Sequence, residues 1–141
     1  MNKYLVFVLA ISLAGILTGC KTPTPDILSG ADRDAVLAFS EPMTDNLIAG
    51  MNSGDYAVFS KDFDKPMLFG MPERNFQYLK RDRDARLGKY VSRSVENVIK
   101  GKDGYYTVSY NVVYEADKDV VMRVVFKQEE PHLISGLWFN R

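Results

Sequence analysis

Cysteine, histidine and tryptophan occur once each in the 141 residues, as Cys20, His132 and Trp138. A single cysteine rules out an internal disulfide and a multi-cysteine metal site. With one histidine there is no His/Cys ligand spacing, so no metal is expected. Charge of one sign is missing as well. Eighteen basic and eighteen acidic residues cancel, no long-range field gathers phosphate, and nucleic-acid binding is not expected. The chain has no Gly-rich phosphate loop and no nucleophile elbow, and no cofactor is expected. Its one long apolar run, Tyr4 to Leu17, falls short of the about 20 residues that span a bilayer.

That run has instead the length of a secretory signal core. Met1-Asn2-Lys3 is a short basic start, and Lys3 is the only charge in residues 1–19. Leu17-Thr18-Gly19-Cys20 follows and resembles the lipobox of prokaryotic lipoproteins. The resemblance implies cleavage before Cys20 and a diacylglycerol on its thiol. Each buried CH₂ of an acyl chain contributes about 0.8 kcal/mol, so two or three chains hold a protein on the membrane essentially permanently. The expected partner at this end is therefore the membrane, with the domain facing outside the cytoplasm. Lys21-Thr22-Pro23-Thr24-Pro25-Asp26 reads as an extended spacer. The expected division is a signal peptide at 1–19, a lipidated tether at 20–31 and one domain at 32–141, a length that suits a single core.

The domain opens with Asp32-Arg33-Asp34, acidic residues placed for the positive end of a helix dipole. Val36, Phe39, Met43, Leu47 and Met51 then recur at helical spacing, and Pro42 kinks or restarts the helix before it ends near Asn52-Ser53-Gly54. Asp55 to Asp64 reads as a short capped helix, with Phe59 and Phe63 four residues apart. Met67 to Met71 reads as an apolar loop around Gly70. Pro72 starts a third helix carrying Phe76, Leu79, Arg83 and Leu87, and Gly88 ends it. The basic run Lys80 to Arg86 is interleaved by Asp82 and Asp84, and Asp82 with Arg86 makes an i,i+4 pair, the pattern of a solvated helix face.

From Tyr90 the period changes to two. Tyr90 to Ile99 alternates loosely, with Val91, Val95 and Ile99 sharing a face with Arg93 and Asn97. Tyr106, Val108, Tyr110, Val112 and Tyr114 alternate strictly, as do Val120, Met122, Val124 and Phe126. His132 to Phe139 reads as the last strand. The short connections Lys100 to Gly104, Glu115 to Asp119 and Gln128 to Pro131 make neighbours antiparallel. The expectation is an α+β domain, with three helices packed on a curved four-stranded antiparallel sheet.

Four short stretches carry a further likeness: Asn52-Ser53-Gly54-Asp55-Tyr56, Phe59-Ser60-Lys61-Asp62-Phe63, Leu87-Gly88-Lys89-Tyr90 and Ser135-Gly136-Leu137-Trp138-Phe139. They resemble a family of small prokaryotic envelope proteins of unknown function, placed in the cystatin-like, or nuclear-transport-factor-2-like, superfamily. The resemblance covers Asp32 to Phe139. It implies a cone, in which the sheet curves around the first helix with room for a cavity between them. That superfamily contains isomerases, dehydratases and non-catalytic modules, so the fold alone assigns no activity.

Its enzymes use an Asp or His inside the cone. His132 beside Pro131 reads as an exposed turn, and Asp62, Asp64 and Glu96 have no spacing that pairs them, so no catalytic residue is expected. Aromatic residues could still line a ligand cavity: Tyr106, Tyr110, Tyr114, Met122 and Phe126 share one sheet face, with Trp138 joining them. The same alternation is also that of a core face meeting the first helix. The expected function is a membrane-anchored, non-catalytic module that binds a small ligand or an envelope protein. The alternative is a small isomerase or dehydratase using a buried carboxylate.

Overall fold

The computed structural model describes residues 25–140. Residues 1–19, read above as an export signal, lie outside the described residues, as do Cys20 and the expected spacer as far as Thr24. The elements run β1 (Asp26–Ile27), α1 (Gly30–Ser53), α2 (Tyr56–Phe59), α3 (Lys65–Gly70), α4 (Glu73–Leu87), β2 (Tyr90–Lys100), β3 (Tyr105–Tyr114), β4 (Val120–Lys127) and β5 (Ile134–Asn140). The architecture is α+β, four helices with an open antiparallel sheet in the order β1-β2-β3-β4-β5. That is one helix and one strand more than the sequence led us to expect.

The extra strand lies in the stretch read as tether. Asp26 pairs with Lys100 and Ile27 with Ile99, and the Leu28 N–H donates to the Val98 carbonyl at 2.8 Å. Asp26 and Ile27, upstream of Asp32, therefore already belong to the sheet. A two-residue strand has no period to read, and its partner is far along the chain.

The extra helix replaces the expected loop at Met67 to Met71. Asp64 Oδ1 accepts the Met67 N–H at 2.8 Å, and Pro66 occupies the first turn, where a missing N–H costs nothing. Asp55 caps α2 in the same way, accepting from the Val58 N–H at 3.2 Å, but that helix stops at Phe59.

Helix α1 runs through Pro42 without a break. A proline there removes one helical hydrogen bond. The packing of Val36, Leu47, Ile48 and Met51 holds the helix against that loss. Gly54, at φ 81, closes the helix by donating to the Gly50 carbonyl at 2.8 Å. Gly50 itself lies against α2, where a Cβ would collide with the backbone nitrogen and Cα of Phe59.

The helices cover one face of the sheet, here called inner. Register places Tyr106 beside Phe126, Val108 beside Val124, Tyr110 beside Met122 and Val112 beside Val120 on that face. In β2 the expected alternation is broken by irregularities between Tyr90 and Ser92 and between Val95 and Asn97. One extra residue flips every later side chain to the other face. Val95 pairs with Tyr110 and is inward, whereas Val98 pairs with Val108 and is buried in place of Ile99. Val91, expected beside Val95, is exposed.

Candidate functional site

The inner face is occupied by side chains. Tyr110, Tyr114, Met122 and Phe126 are buried in one cluster with Val36, Leu47, Ile48 and Met51 of α1. Tyr106 is half-buried and packs on Phe39, which also meets Phe126 edge-on at 5.9 Å between centroids. Trp138 does not join this group. It pairs with Arg123 on the outer face and is 54% exposed, while its neighbour Phe139 pairs with Met122 and points inward. The tyrosine stripe is thus chiefly the floor on which α1 packs.

A polar network ties that floor to the helix. The Tyr110 hydroxyl donates to Glu41 Oε1 at 2.8 Å and lies 3.1 Å from Thr44 Oγ1. Arg93 bridges the carboxylates of Glu41 and Asp45 at 3.1 and 2.7 Å, and its guanidinium carbon sits 5.3 Å from the Tyr110 ring centroid. Burial, with the Glu41 carboxylate as hydrogen-bond acceptor, pushes the Tyr110 phenol well above its ordinary value. Burial works against the Arg93 cation, but the bond to Asp45 and the charge of Glu41 outweigh it and raise its pKa. The network's signal in the sequence was Arg93, a cation between Val91 and Val95; its partners on α1 could not be read from β2 alone.

The carboxylates considered for catalysis are separated. Asp64 is buried with both oxygens engaged. Its Oδ1 caps α3, and its Oδ2 accepts from Ser135 Oγ at 2.5 Å and faces Lys127 Nζ at 3.8 Å. Asp62 accepts from Asn46 Nδ2 at 2.8 Å, and Glu96 is exposed at the β2 irregularity.

His132 is better seated than the expected exposed turn. Its ring stacks on Phe39 at 4.0 Å, and Nδ1 donates to the Lys127 carbonyl at 3.0 Å. It borders an open cleft of about 390 Å³ with Asp26, Asp32, Lys100 and Tyr106. Asp26 and Asp32 with His132 do not converge as a metal site, and no cluster of three or more potential ligands occurs among the described residues.

At the far end of the sheet, Arg83 is buried beneath two clefts of about 120 and 620 Å³. Its guanidinium donates to Asn52 Oδ1 at 3.2 Å, to the Met51 carbonyl at 3.3 Å and to Asp84 Oδ1 at 2.5 Å. Lys80 reaches the other oxygen of Asp84 at 2.5 Å, and Arg86 pairs with Asp82 as its spacing suggested. Burial opposes ionisation of Asp84, but bonds from Lys80 and Arg83 hold its pKa below the usual carboxylate value. Lys80 and Arg83 thereby share Asp84, Arg86 is paired with Asp82, and Arg81 lies over the Tyr78 ring. Arg83, expected on a weak stripe, is the one that ties α4 to the end of α1.

Among the described residues the exposed large apolar or aromatic side chains are Ile27, Leu68, Phe69, Tyr78, Val91 and Trp138. Phe69 on α3 is 91% exposed, and Trp138 lies on the outer sheet face. Neither belongs to the cluster that the tyrosine pattern marked. Comparison with known proteins places none beside this chain: no family model, no curated protein and no solved structure matches it.

Proposed function

We propose that the protein is a lipid-anchored, extracytoplasmic binding module without catalytic activity, built on the cystatin-like plan that its short motifs resemble. The observation that carries this reading is the filled inner face. An isomerase or dehydratase of this kind needs an acid–base group turned towards a substrate in a dry pocket. Here Tyr110, Tyr114, Met122 and Phe126 are spent on packing against α1. Asp64, the buried carboxylate among the described residues, is spent on a helix cap, Ser135 and Lys127. Binding then belongs on the outside of the domain.

Support for the anchor comes from Leu17-Thr18-Gly19-Cys20 behind a short apolar run. Because β1 begins at Asp26, only Lys21 to Pro25 would separate the lipidated cysteine from the fold. That segment spans roughly 18 Å when fully extended. Such a tether keeps the domain close to the membrane surface and presents its outer faces to whatever lies beside it.

Native mass spectrometry of the protein drawn from its own membranes tests the binding reading. A co-purifying ligand or partner is the expected result. Turnover of a hydroxy or keto substrate that disappears in Asp64→Asn would contradict it.

A further inference from the structure

The outer face of the sheet has no helix over it among the described residues, and its register sorts it into rows that cross four strands. The central row is Asn97, Ser109, Arg123 and Trp138. On one side lie Ser94, Asn111, Val121 and Asn140, and on the other Ile99, Thr107, Val125 and Gly136. Arg123 is the only ionisable residue in the three rows.

Two features of this face are unusual for a bare sheet surface. The first is the seat of the chain's only tryptophan. A Cβ at Gly136 would collide with Cη2 and Cζ3 of Trp138, so the indole lies over the glycine backbone. An aromatic ring covering a strand glycine is a known way to pin register, yet here the ring stays 54% exposed. It is a fixed aromatic platform and not a buried anchor.

The second feature is the charge beside it. No carboxylate lies within salt-bridge distance of Arg123 among the described residues. Its guanidinium is held by the Asn140 amide oxygen at 2.8 Å, with the amide turned so that both of its ends are satisfied. Further along the row, Asn97 Oδ1 is buried and has no hydrogen-bond partner.

We propose that this face binds a carboxylate-bearing polysaccharide strand, with Trp138 as the stacking platform and Arg123 as the contact for the carboxylate. The inference deepens the binding reading above and rests on it. The C–H face of a pyranose ring carries partial positive charge and fits the negative face of an indole. Short uncharged side chains that are exposed on this face, here Ser94 and Asn111, both donate and accept, as sugar hydroxyls do. The unpaired cation selects an acidic sugar over a neutral one, and a planar guanidinium grips a carboxylate through two donors.

The single tryptophan makes the test direct. The full chain in detergent micelles is titrated with an oligogalacturonide, with the neutral cellohexaose and with polyglutamate, while Trp138 emission and its quenching by acrylamide are followed. The oligogalacturonide should shift the emission, protect the indole from acrylamide, and bind about tenfold more tightly than the other two. Gly136→Ala, which displaces the indole but keeps the reporter, and Arg123→Gln should each weaken it about tenfold. Arg123→Gln should also abolish the preference over cellohexaose.

Equal binding of cellohexaose overturns the role of the carboxylate, and equal binding of polyglutamate reduces the face to an anion patch. No spectral change with the oligogalacturonide overturns the inference, as does unchanged binding in both variants once circular dichroism shows them folded. The lipid on Cys20 is weighed by mass spectrometry in the same preparation. A lipidated protein that ignores the oligogalacturonide sinks this inference alone, and an unlipidated one that binds it sinks only the anchor.

Discussion

The hydroxyl of Tyr110 is where helix and sheet exchange hydrogen bonds, with Glu41 on one side and Thr44 on the other. Removing it leaves two polar partners at a buried seam, and Tyr110→Phe should cost about 1–2 kcal/mol in urea unfolding. The pH dependence follows from the same contacts. The folded protein holds this phenol above its ordinary pKa, so the group contributes full stability below about pH 10, the value in the unfolded chain. That contribution is lost as the pH rises from there towards the folded value. Alkaline titration of the unfolding midpoint should show a fall above about pH 10 that is shallower in Tyr110→Phe; equal slopes would remove Tyr110 from the account. Asp64 makes a comparable case for a carboxylate. Asp64→Ala strips the cap of α3 and leaves the Ser135 hydroxyl and Lys127 without their acceptor, for a loss of about 2–3 kcal/mol in the same assay.

At the level of elements, the crossing of α1 and α2 depends on one missing side chain. Alanine in a helix normally gains about 1 kcal/mol over glycine. At Gly50 the added methyl meets the backbone of Phe59, which is not free to swing away. Gly50→Ala should therefore lose about 2 kcal/mol or more. Gly70 in α3 has nothing within 4 Å of a Cβ, and Gly70→Ala should be neutral or gain up to about 1 kcal/mol. Thermal unfolding of the two variants side by side checks the contrast.

The elements also show what a sequence can and cannot disclose. The strict alternation of β3 and β4 marked their inner faces residue by residue, because nothing interrupts the period. In β2 the same rule fails after Val95, since an irregularity of one residue leaves no mark in composition and turns Val98 inward in place of Ile99. For α3 the signal was present and was outweighed. Asp64-Lys65-Pro66 is a capped helix start, but Gly70 and the apolar run suggested a loop. Ser135-Gly136-Leu137-Trp138-Phe139 ends in two apolar neighbours, and only register with β4 decides that Phe139 points in and Trp138 out. The Glu41, Asp45 and Arg93 network joins two elements far apart in sequence, so periodicity within either one could not reveal it.

For the whole molecule, the account joins an anchor to a folded body whose interior is full. From Asp26 onward 16 basic residues stand against 18 acidic ones, a net of −2 that gives the domain little long-range field. On this reading its location comes from the lipid, and its selectivity from individual surface groups. No helix among the described residues is long and apolar enough to cross a bilayer. Cys20→Ala should leave the native protein without the lipid and with Met1 intact, read by mass spectrometry, while the unfolding transition of the domain is unchanged. The most direct measurement of the central claim is the mass of the N-terminal peptide of the native protein. The account predicts a chain that begins at Cys20 and carries a diacylglycerol on its thiol. An intact Met1 with an unmodified Cys20 would contradict it.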